Sequence, residues 1–302
     1  MRNFQIKLSS HKIKNIIKTA LKEDIGSGDI TTNAILKERG KGEGGRGTAK
    51  IIVKENLVVA GLSVAGEVFK QLDKKAVFKP LVKDGEGVKK GQCIAEVKGR
   101  LRTLLTGERV ALNFLQRLSS ITTLTRQFVD AVKGYDVKIL DTRKTTPNLR
   151  ILEKYAVRCG GGFNHRFGLY DAILIKDNHI AAAGGIKNAV ALAKKNAPKK
   201  KIEVEVKNFK ELKEALEAKV HVIMLDNMTP SQMKGAVSFI RITHHASRIT
   251  LIEASGGVNL KNVKKIAKTG IHRISIGALT HSARGVDISM EIVKQLRVKS
   301  YE

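Results

Sequence analysis

The second half of this chain repeats one arrangement six times: a short apolar run that opens into polar or glycine residues. Residues 137–140 lead to Asp141-Thr142-Arg143-Lys144, and 172–175 to Lys176-Asp177-Asn178-His179. Residues 202–206 carry Glu203 and Glu205, and 222–225 end in Asp226-Asn227. Leu251-Ile252 precede Glu253-Ala254-Ser255-Gly256-Gly257, and 274–276 precede Gly277-Ala278-Leu279. Helix-length segments, such as 209–219 and 260–268, separate the runs. Buried strands alternating with helices are the pattern of parallel βα units. Polar residues gathered at the strand ends place one site at the mouth of a barrel. The expectation is an α/β fold whose catalytic part is an open or irregular, TIM-like barrel of about six strands.

The first part reads differently. Residues 11–23 have the apolar spacing of a helix, with Ile13, Ile16, Ile17, Ala20 and Leu21 on one face. A turn-rich loop over 23–32 follows, and residues 40–47 read as a glycine-rich surface loop lacking the Gly-Lys-Ser/Thr end of a P-loop. Strands are expected over 49–53, 57–60, 77–82 and 93–97, and a helix over 64–72. This gives an N-terminal α/β sandwich domain over 1–115. A long helical segment, 103–133, with a break at Ser119-Ser120, hands the chain to a barrel over 116–285. Residues 286–302 are expected to form an amphipathic C-terminal helix that closes the barrel or packs back on the first domain.

Composition narrows the function. Without Trp and with 4% aromatic residues, the core must be built from aliphatic side chains. No apolar run approaches the ~18 residues of a membrane span, and the first ten residues lack the apolar stretch of a signal peptide. Two unpaired cysteines, Cys93 and Cys159, fit a reducing cytoplasm and exclude a cysteine-based zinc site. The net charge of +28 raises nucleic-acid binding as one reading. Its spread argues otherwise: 23 basic and 12 acidic residues lie in 1–115, and 33 and 16 in the remainder. Lysine-rich solvated faces account for that distribution, while a diffuse positive field steers small polyanions toward a cleft.

The strand ends carry the chemistry. Arg143, Lys144, His165, Arg166 and Lys176 collect at the first two strand ends and the loop between them. Arg grips a carboxylate or phosphate through paired hydrogen bonds and Lys adds a point charge, so five such groups imply a ligand with several negative charges. Gly160-Gly161-Gly162, just before His165, either ends a helix over 148–159 or lets the loop lie against a ligand. Glu203, Glu205 and Asp226 stand in otherwise apolar strands, where a carboxylate needs a partner. Alternation puts Glu203 and Glu205 on one face, to meet Lys176, a magnesium ion or a structural salt-bridge partner. Ser255-Gly256-Gly257 and Gly277-Ala278 offer backbone N–H groups to an anion at the last two strands. His11, His221, His244, His245 and His272 have no motif around them.

Together these segments resemble the quinolinate phosphoribosyltransferases. The matching stretches are residues 23–31, 107–113, 141–147, 160–171, 175–179, 203–206, 225–228, 254–257 and 276–279, in order across nearly the whole chain. The central block, Gly-Gly-Gly-Phe-Asn-His-Arg-Phe-Gly-Leu-Tyr-Asp, is the most specific. The resemblance implies transfer of phosphoribosyl from phosphoribosyl pyrophosphate to quinolinate with decarboxylation, in NAD biosynthesis, with magnesium. It implies a homodimer or dimer-based hexamer in which one subunit's N-terminal region completes the other's site. Arg109 would come from that neighbour, with Arg143, His165, Arg166 and Lys176 around quinolinate, and Thr142 would be substrate-binding. Lys144, Glu205 and Asp226 would face phosphoribosyl pyrophosphate, Glu205 and Asp226 as magnesium ligands directly or through water. Ser255, Gly256, Gly257, Gly277 and Ala278 would hold the 5-phosphate, and Lys144, Lys176, Glu205 and Asp226 would be catalytic. A related phosphoribosyltransferase acting on nicotinate or another aromatic acid is the nearest alternative. The sequence departs from the family in its high charge, in Ser119-Ser120 where Ser-Gly is common, and in the expanded loop over 40–47.

Overall fold

A computed structural model describes residues 11–36, 45–243 and 250–296. The chain divides into two compact units. The first begins with α1 (His11–Ile25), which buries Ile13, Ile17 and Leu21, and α2 (Ile30–Leu36). The stretch expected as a loop therefore contains a helix start: the Asp29 carboxylate accepts the Thr32 N–H at 2.9 Å and caps α2. Next come β1 (Arg46–Val53), β2 (Leu57–Val58), α3 (Leu62–Leu72), β3 (Val77–Pro80), β4 (Gly87–Val88) and β5 (Cys93–Arg100). Strand β1 buries every second side chain, Ala49, Ile51 and Val53 among them, so one face of its sheet makes a core. Phe69 of α3 stacks on Phe78 of β3 with ring centroids 6.3 Å apart. Of the glycine-rich loop, residues 37–44 lie outside the described residues, and β1 already begins at Arg46.

Helix α4 (Leu101–Ala131) runs unbroken for 31 residues, correcting the expected break at Ser119-Ser120. Both serines satisfy their hydroxyls without interrupting the helix. Ser120 Oγ donates to Gln116 O at 2.6 Å, one turn back, and Ser119 Oγ accepts the Ala60 N–H at 3.0 Å.

The second unit holds β6 (Lys138–Leu140), and the chain then passes through α5 (Arg150–Cys159), which belongs to the first unit. Buried Glu153 of α5 receives Arg117 Nη2 of α4 at 2.7 Å, and Thr122 Oγ1 of α4 donates to Ala156 O at 2.9 Å. The second unit continues with β7 (Ile173–Ile175), α6 (Asp177–Ala183), α7 (Ile186–Asn196), β8 (Ile202–Val206), α8 (Phe209–Glu217) and β9 (Val222–Asp226). It closes with α9 (Pro230–Thr243), β10 (Leu251–Ser255), α10 (Val263–Ala267), β11 (Arg273–Ser275) and α11 (Ala278–His281). The six strands form one parallel sheet in the order β6-β11-β10-β9-β8-β7. All five residues of β8 are buried, as expected for a strand covered on both faces.

Chain-adjacent β6 and β7 stand at opposite edges of that sheet, and no ladder joins them among the described residues. The barrel is open along this seam. On the β6 side, Phe163 lies parallel to Leu140, its N–H donating to Ile139 O at 2.8 Å while its carbonyl accepts Asp141 N–H at 3.1 Å. Among the described residues, no helix is long and apolar enough to cross a membrane.

The last described segment is a strand, β12 (Ile288–Leu296), rather than the expected C-terminal helix. It pairs antiparallel with β1, Val53 opposite Ile288 and Arg46 opposite Leu296, completing a sheet ordered β12-β1-β5-β3. Ile288 and Met290 are buried on one face, a period of two that the helical reading overlooked. The unpaired edge of β1 supplies the ladder that fixes it. The first unit accordingly takes residues up to Leu124, then 146–160, then everything from Ala283, and the second takes 125–145 and 161–282. In chain order the second unit is thus flanked on both sides by segments of the first.

Candidate active site

Six parallel strands point their C-terminal ends to one side, and a cavity of about 720 Å³ opens there. Thr142, Arg143 and Lys144 follow β6, Lys176 follows β7, Glu205 lies in β8 and Asp226 ends β9. Ser255, Gly256 and Gly257 follow from β10, and Gly277 and Ala278 from β11. His165 and Arg166 enter from the segment that runs along β6. All of these line the cavity. Arg109 is the exception: it lies exposed on α4 in the first unit, beside the stretch from Asp24 to Ile30.

Local structure holds each group. Asp141, fully buried, accepts the His165 N–H at 2.9 Å and a hydrogen bond from Asn164 Nδ2, which pins the cationic loop to the end of β6. Arg166 Nη1 donates to Ala172 O at 3.1 Å. Thr142 Oγ1 accepts the Lys144 N–H at 3.0 Å, and Thr280 Oγ1 donates to Lys144 O at 2.6 Å. Lys176 Nζ is paired with the Glu205 carboxylate. Asp226 accepts a hydrogen bond from Asn227 Nδ2 at 3.1 Å and is half-buried at the cavity wall. Gly256 has φ +92°, and a Cβ built on it would fall 2.1 Å from Asn227 Oδ1, so only glycine fits this approach.

The electrostatics favour an anion. Burial, reinforced by the neighbouring Arg143 charge, depresses the Arg166 pKa, so the guanidinium sits in a field that a bound carboxylate or phosphate would relieve. Among the described residues that line the cavity, Glu205 and Asp226 are the acidic ones, set against Arg143, Lys144, Arg166 and Lys176.

Glu203 and Glu205 both point inward but at different depths. Glu205 reaches the strand-end cavity, whereas Glu203 meets His165 deeper, its Oε2 3.1 Å from Nε2. Burial opposes a charge on the His165 ring, whereas the Glu203 and Glu253 carboxylates favour one. Nδ1 accepts the Arg166 N–H at 2.8 Å, which places the ring's proton on Nε2. Burial and the Glu253 charge raise the Glu203 pKa in the same direction.

Several wall residues carried no signal in the sequence. His281, Ser275, Met224, Leu174 and Val258 line the cavity without forming a motif among themselves. The position of His281 just past the Gly277-Ala278 turn is the signal that could have found it. His221 and His272 are structural: each accepts a backbone N–H through Nδ1, from Ile202 at 3.1 Å and Ile252 at 3.0 Å. His244 and His245 lie outside the described residues.

A parallel βα sheet with cations, two carboxylates and glycine turns at one mouth defines an open α/β-barrel enzyme for polyanionic substrates. The chain belongs to the quinolinate phosphoribosyl transferase family: the family's N-terminal domain matches residues 29–119 and its C-terminal domain residues 121–291. It is 47% identical over 275 residues to a Synechocystis protein named "Probable nicotinate-nucleotide pyrophosphorylase (carboxylating)", covering 91% of this chain and 90% of that one. It is 40% identical to the chloroplastic nicotinate-nucleotide pyrophosphorylase (carboxylating) of Arabidopsis thaliana, covering 96% of this chain and 85% of that one. The solved structure of the nicotinate-nucleotide pyrophosphorylase from Francisella tularensis superposes with a TM-score of 0.86 at 41% identity, covering 93% and 96% of the two chains.

Proposed function

We propose that this protein transfers the phosphoribosyl group of phosphoribosyl pyrophosphate to quinolinate and releases CO2, giving nicotinate mononucleotide and pyrophosphate. The observation that carries the proposal is the convergence of Arg143, Lys144, His165, Arg166 and Lys176 with Glu205 and Asp226 on one cavity. Arg143, Arg166 and Lys176, with Thr142 and the edge of the His165 ring beside them, would clamp the two carboxylates of quinolinate and aim its ring nitrogen at the ribose C1. Ser255-Gly256-Gly257 and Gly277-Ala278 would hold the 5-phosphate, and Lys144 the pyrophosphate.

As pyrophosphate departs with the C1–O bonding pair, positive charge builds on the ribose, and Glu205 and Asp226 sit on the cavity wall to stabilise it. The ring nitrogen then bonds to C1 and becomes cationic. Cleavage of the bond to the 2-carboxylate releases CO2 and leaves the electron pair at ring carbon 2, stabilised by that nitrogen. Protonation there completes nicotinate mononucleotide. Positioning and charge supply the catalysis, with no covalent nucleophile.

Magnesium fits Asp226 better than Glu205. Asp226 offers a half-buried carboxylate facing the cavity, while Glu205 is engaged by Lys176. One or two carboxylates plus substrate phosphate oxygens suit this ion, which would neutralise charge on the leaving pyrophosphate. Arg109 would act across a subunit boundary in a homodimer or dimer-based hexamer, completing a partner's pocket. A cytoplasmic enzyme suits the two free thiols, of which Cys159 is held inert by burial that pushes its pKa up to about 12.

The test is turnover of quinolinate with phosphoribosyl pyrophosphate and magnesium, alongside nicotinate. Quinolinate consumption with equal CO2 release, and an idle nicotinate control, is the expected result. Turnover of nicotinate in its place overturns the substrate assignment.

A further inference from the structure

Beneath the cavity floor lies a buried carboxylate pair, Glu203 and Glu253, which has no substrate contact assigned to it. Glu203 of β8 and Glu253 of β10 converge on His165, with Oε2 of the first at 3.1 Å and Oε1 of the second at 3.4 Å from Nε2. Both carboxylates are buried, Glu253 completely. Glu253 is itself anchored: Ser275 Oγ of β11 donates to Oε1, and Arg273 Nη1 stands 3.8 Å from Oε2. Three strands of the barrel, β8, β10 and β11, thus contribute to one imidazole edge.

The trio has the spacing of a metal site, with its ligand atoms within 4.8 Å of one another. The other ring nitrogen decides against that. Nδ1 accepts the Arg166 N–H at 2.8 Å, so it carries a lone pair and the proton is on Nε2. Nε2 then has no lone pair to give a metal, and it stands 3.1 and 3.4 Å from the two carboxylate oxygens. The ring is held from both sides: a backbone N–H on one nitrogen and buried carboxylates on the other. Arg166, whose N–H makes the first of these contacts, also lines the cavity.

We propose that Glu203 and Glu253, with Ser275 as anchor, are positioning residues that lock His165 as the Nε2–H tautomer and thereby fix the His165-Arg166 edge of the substrate clamp. Their role is to orient: the two carboxylates act through His165 and do not line the cavity. The physical reason for two acidic residues is redundancy of acceptors. A single N–H shared between two buried carboxylates from different strands cannot rotate toward either without losing the other. The part concerning substrate rests on quinolinate being the ligand, whereas the tautomer does not.

The test uses the full-length enzyme carrying ¹⁵N-labelled histidine and two double variants. Glu203→Met with Glu253→Met removes both acceptors together with their mutual repulsion, an exchange that buried ionic clusters tolerate. Glu203→Gln with Glu253→Gln keeps an acceptor oxygen at each position. Wild type and the Gln pair are expected to show His165 as a single Nε2–H tautomer by NMR without substrate, and the Met pair a mixture. The Met pair is expected to raise the KM for quinolinate roughly ten-fold, with the KM for phosphoribosyl pyrophosphate unmoved and the Gln pair near wild type. An unchanged tautomer in the folded Met pair overturns the proposal, as does a Gln pair as impaired as the Met pair. If the Met pair does not fold, Ser275→Ala decides. A rise in the KM for quinolinate with new heterogeneity in the His165 signal supports the lock, and a wild-type signal overturns it. A wild-type enzyme that shows the single tautomer but does not turn over quinolinate would leave the lock standing and remove the substrate reading.

Discussion

Gly256 is the position where structure translates most directly into a number. Its φ of +92° already excludes easy substitution, and a methyl group there would meet Asn227 Oδ1 at 2.1 Å and Cγ at 2.5 Å. Asn227 is itself left-handed, with φ 54°, and its Nδ2 holds Asp226. Gly256→Ala therefore pays twice. A left-handed alanine costs about 1–2 kcal/mol, and pushing Asn227 aside breaks its bond to Asp226 for about 1 kcal/mol more. Gly257 supplies the internal control: it too is left-handed, at +60°, but a Cβ there meets nothing within 4 Å. Gly257→Ala should cost only the backbone term of about 1–2 kcal/mol. At roughly 2–4 °C per kcal/mol for a protein of this size, the melting points should fall by about 8 °C for Gly256→Ala and about 4 °C for Gly257→Ala. Differential scanning calorimetry reads the gap. Asn227→Gly removes both the obstructing amide and its bond to Asp226, so in that background the further loss on adding Gly256→Ala should shrink to that of Gly257→Ala. Equal losses in the two single variants, or no rescue by Asn227→Gly, would refute the collision as the cause.

Three further outcomes are expected. Lys176→Met removes the cation that pairs with Glu205 and faces the anionic ligand; kcat/KM for quinolinate should drop roughly a hundred-fold in steady-state assays, and near-normal turnover would take Lys176 out of the clamp. Asp141→Ala leaves the His165 N–H and the Asn164 amide without their buried acceptor; chemical denaturation should show a loss of about 2–4 kcal/mol together with weakened quinolinate binding. Asp29 is held below the usual carboxylate range, first by its side-chain and backbone hydrogen bonds from Thr32. A depressed folded pKa means its contribution is present above about pH 4 and is lost as pH falls through the folded value. The stability difference between wild type and Asp29→Asn should accordingly shrink on acidification, and a difference independent of pH would count against the cap.

The barrel strands were legible because each is a short apolar run buried on both faces and punctuated by glycine or charge, as in 202–206 and 222–226. The cavity residues were legible for the same reason: a parallel sheet sends every strand end to one mouth, so position along the run predicts position in space. What escaped the sequence depended on non-local partners. Residues 288–296 carry a period of two, but only the free edge of β1, more than 230 residues away, makes them a strand. Ser119-Ser120 resembled a break because nothing local shows that Gln116 O and the Ala60 backbone satisfy their hydroxyls. Glu253 and Ser275 drew no role because their meaning lies in their depth within the barrel, where adjacent strands bring them together. Arg109 carried meaning only through resemblance.

The pairing of β1 with β12 makes assembly of this chain a problem in timing. The second unit is complete in sequence by Ser282, whereas the four-stranded sheet of the first unit waits for a strand that leaves the ribosome after it. Until then β1 presents eight residues of unpaired backbone along one edge, the kind of template that recruits foreign strands. A chain stalled or clipped just before residue 288 would keep every barrel residue of the cavity and still be left with an open, sticky margin. Such a species would fail by association with other chains before it failed by loss of chemistry.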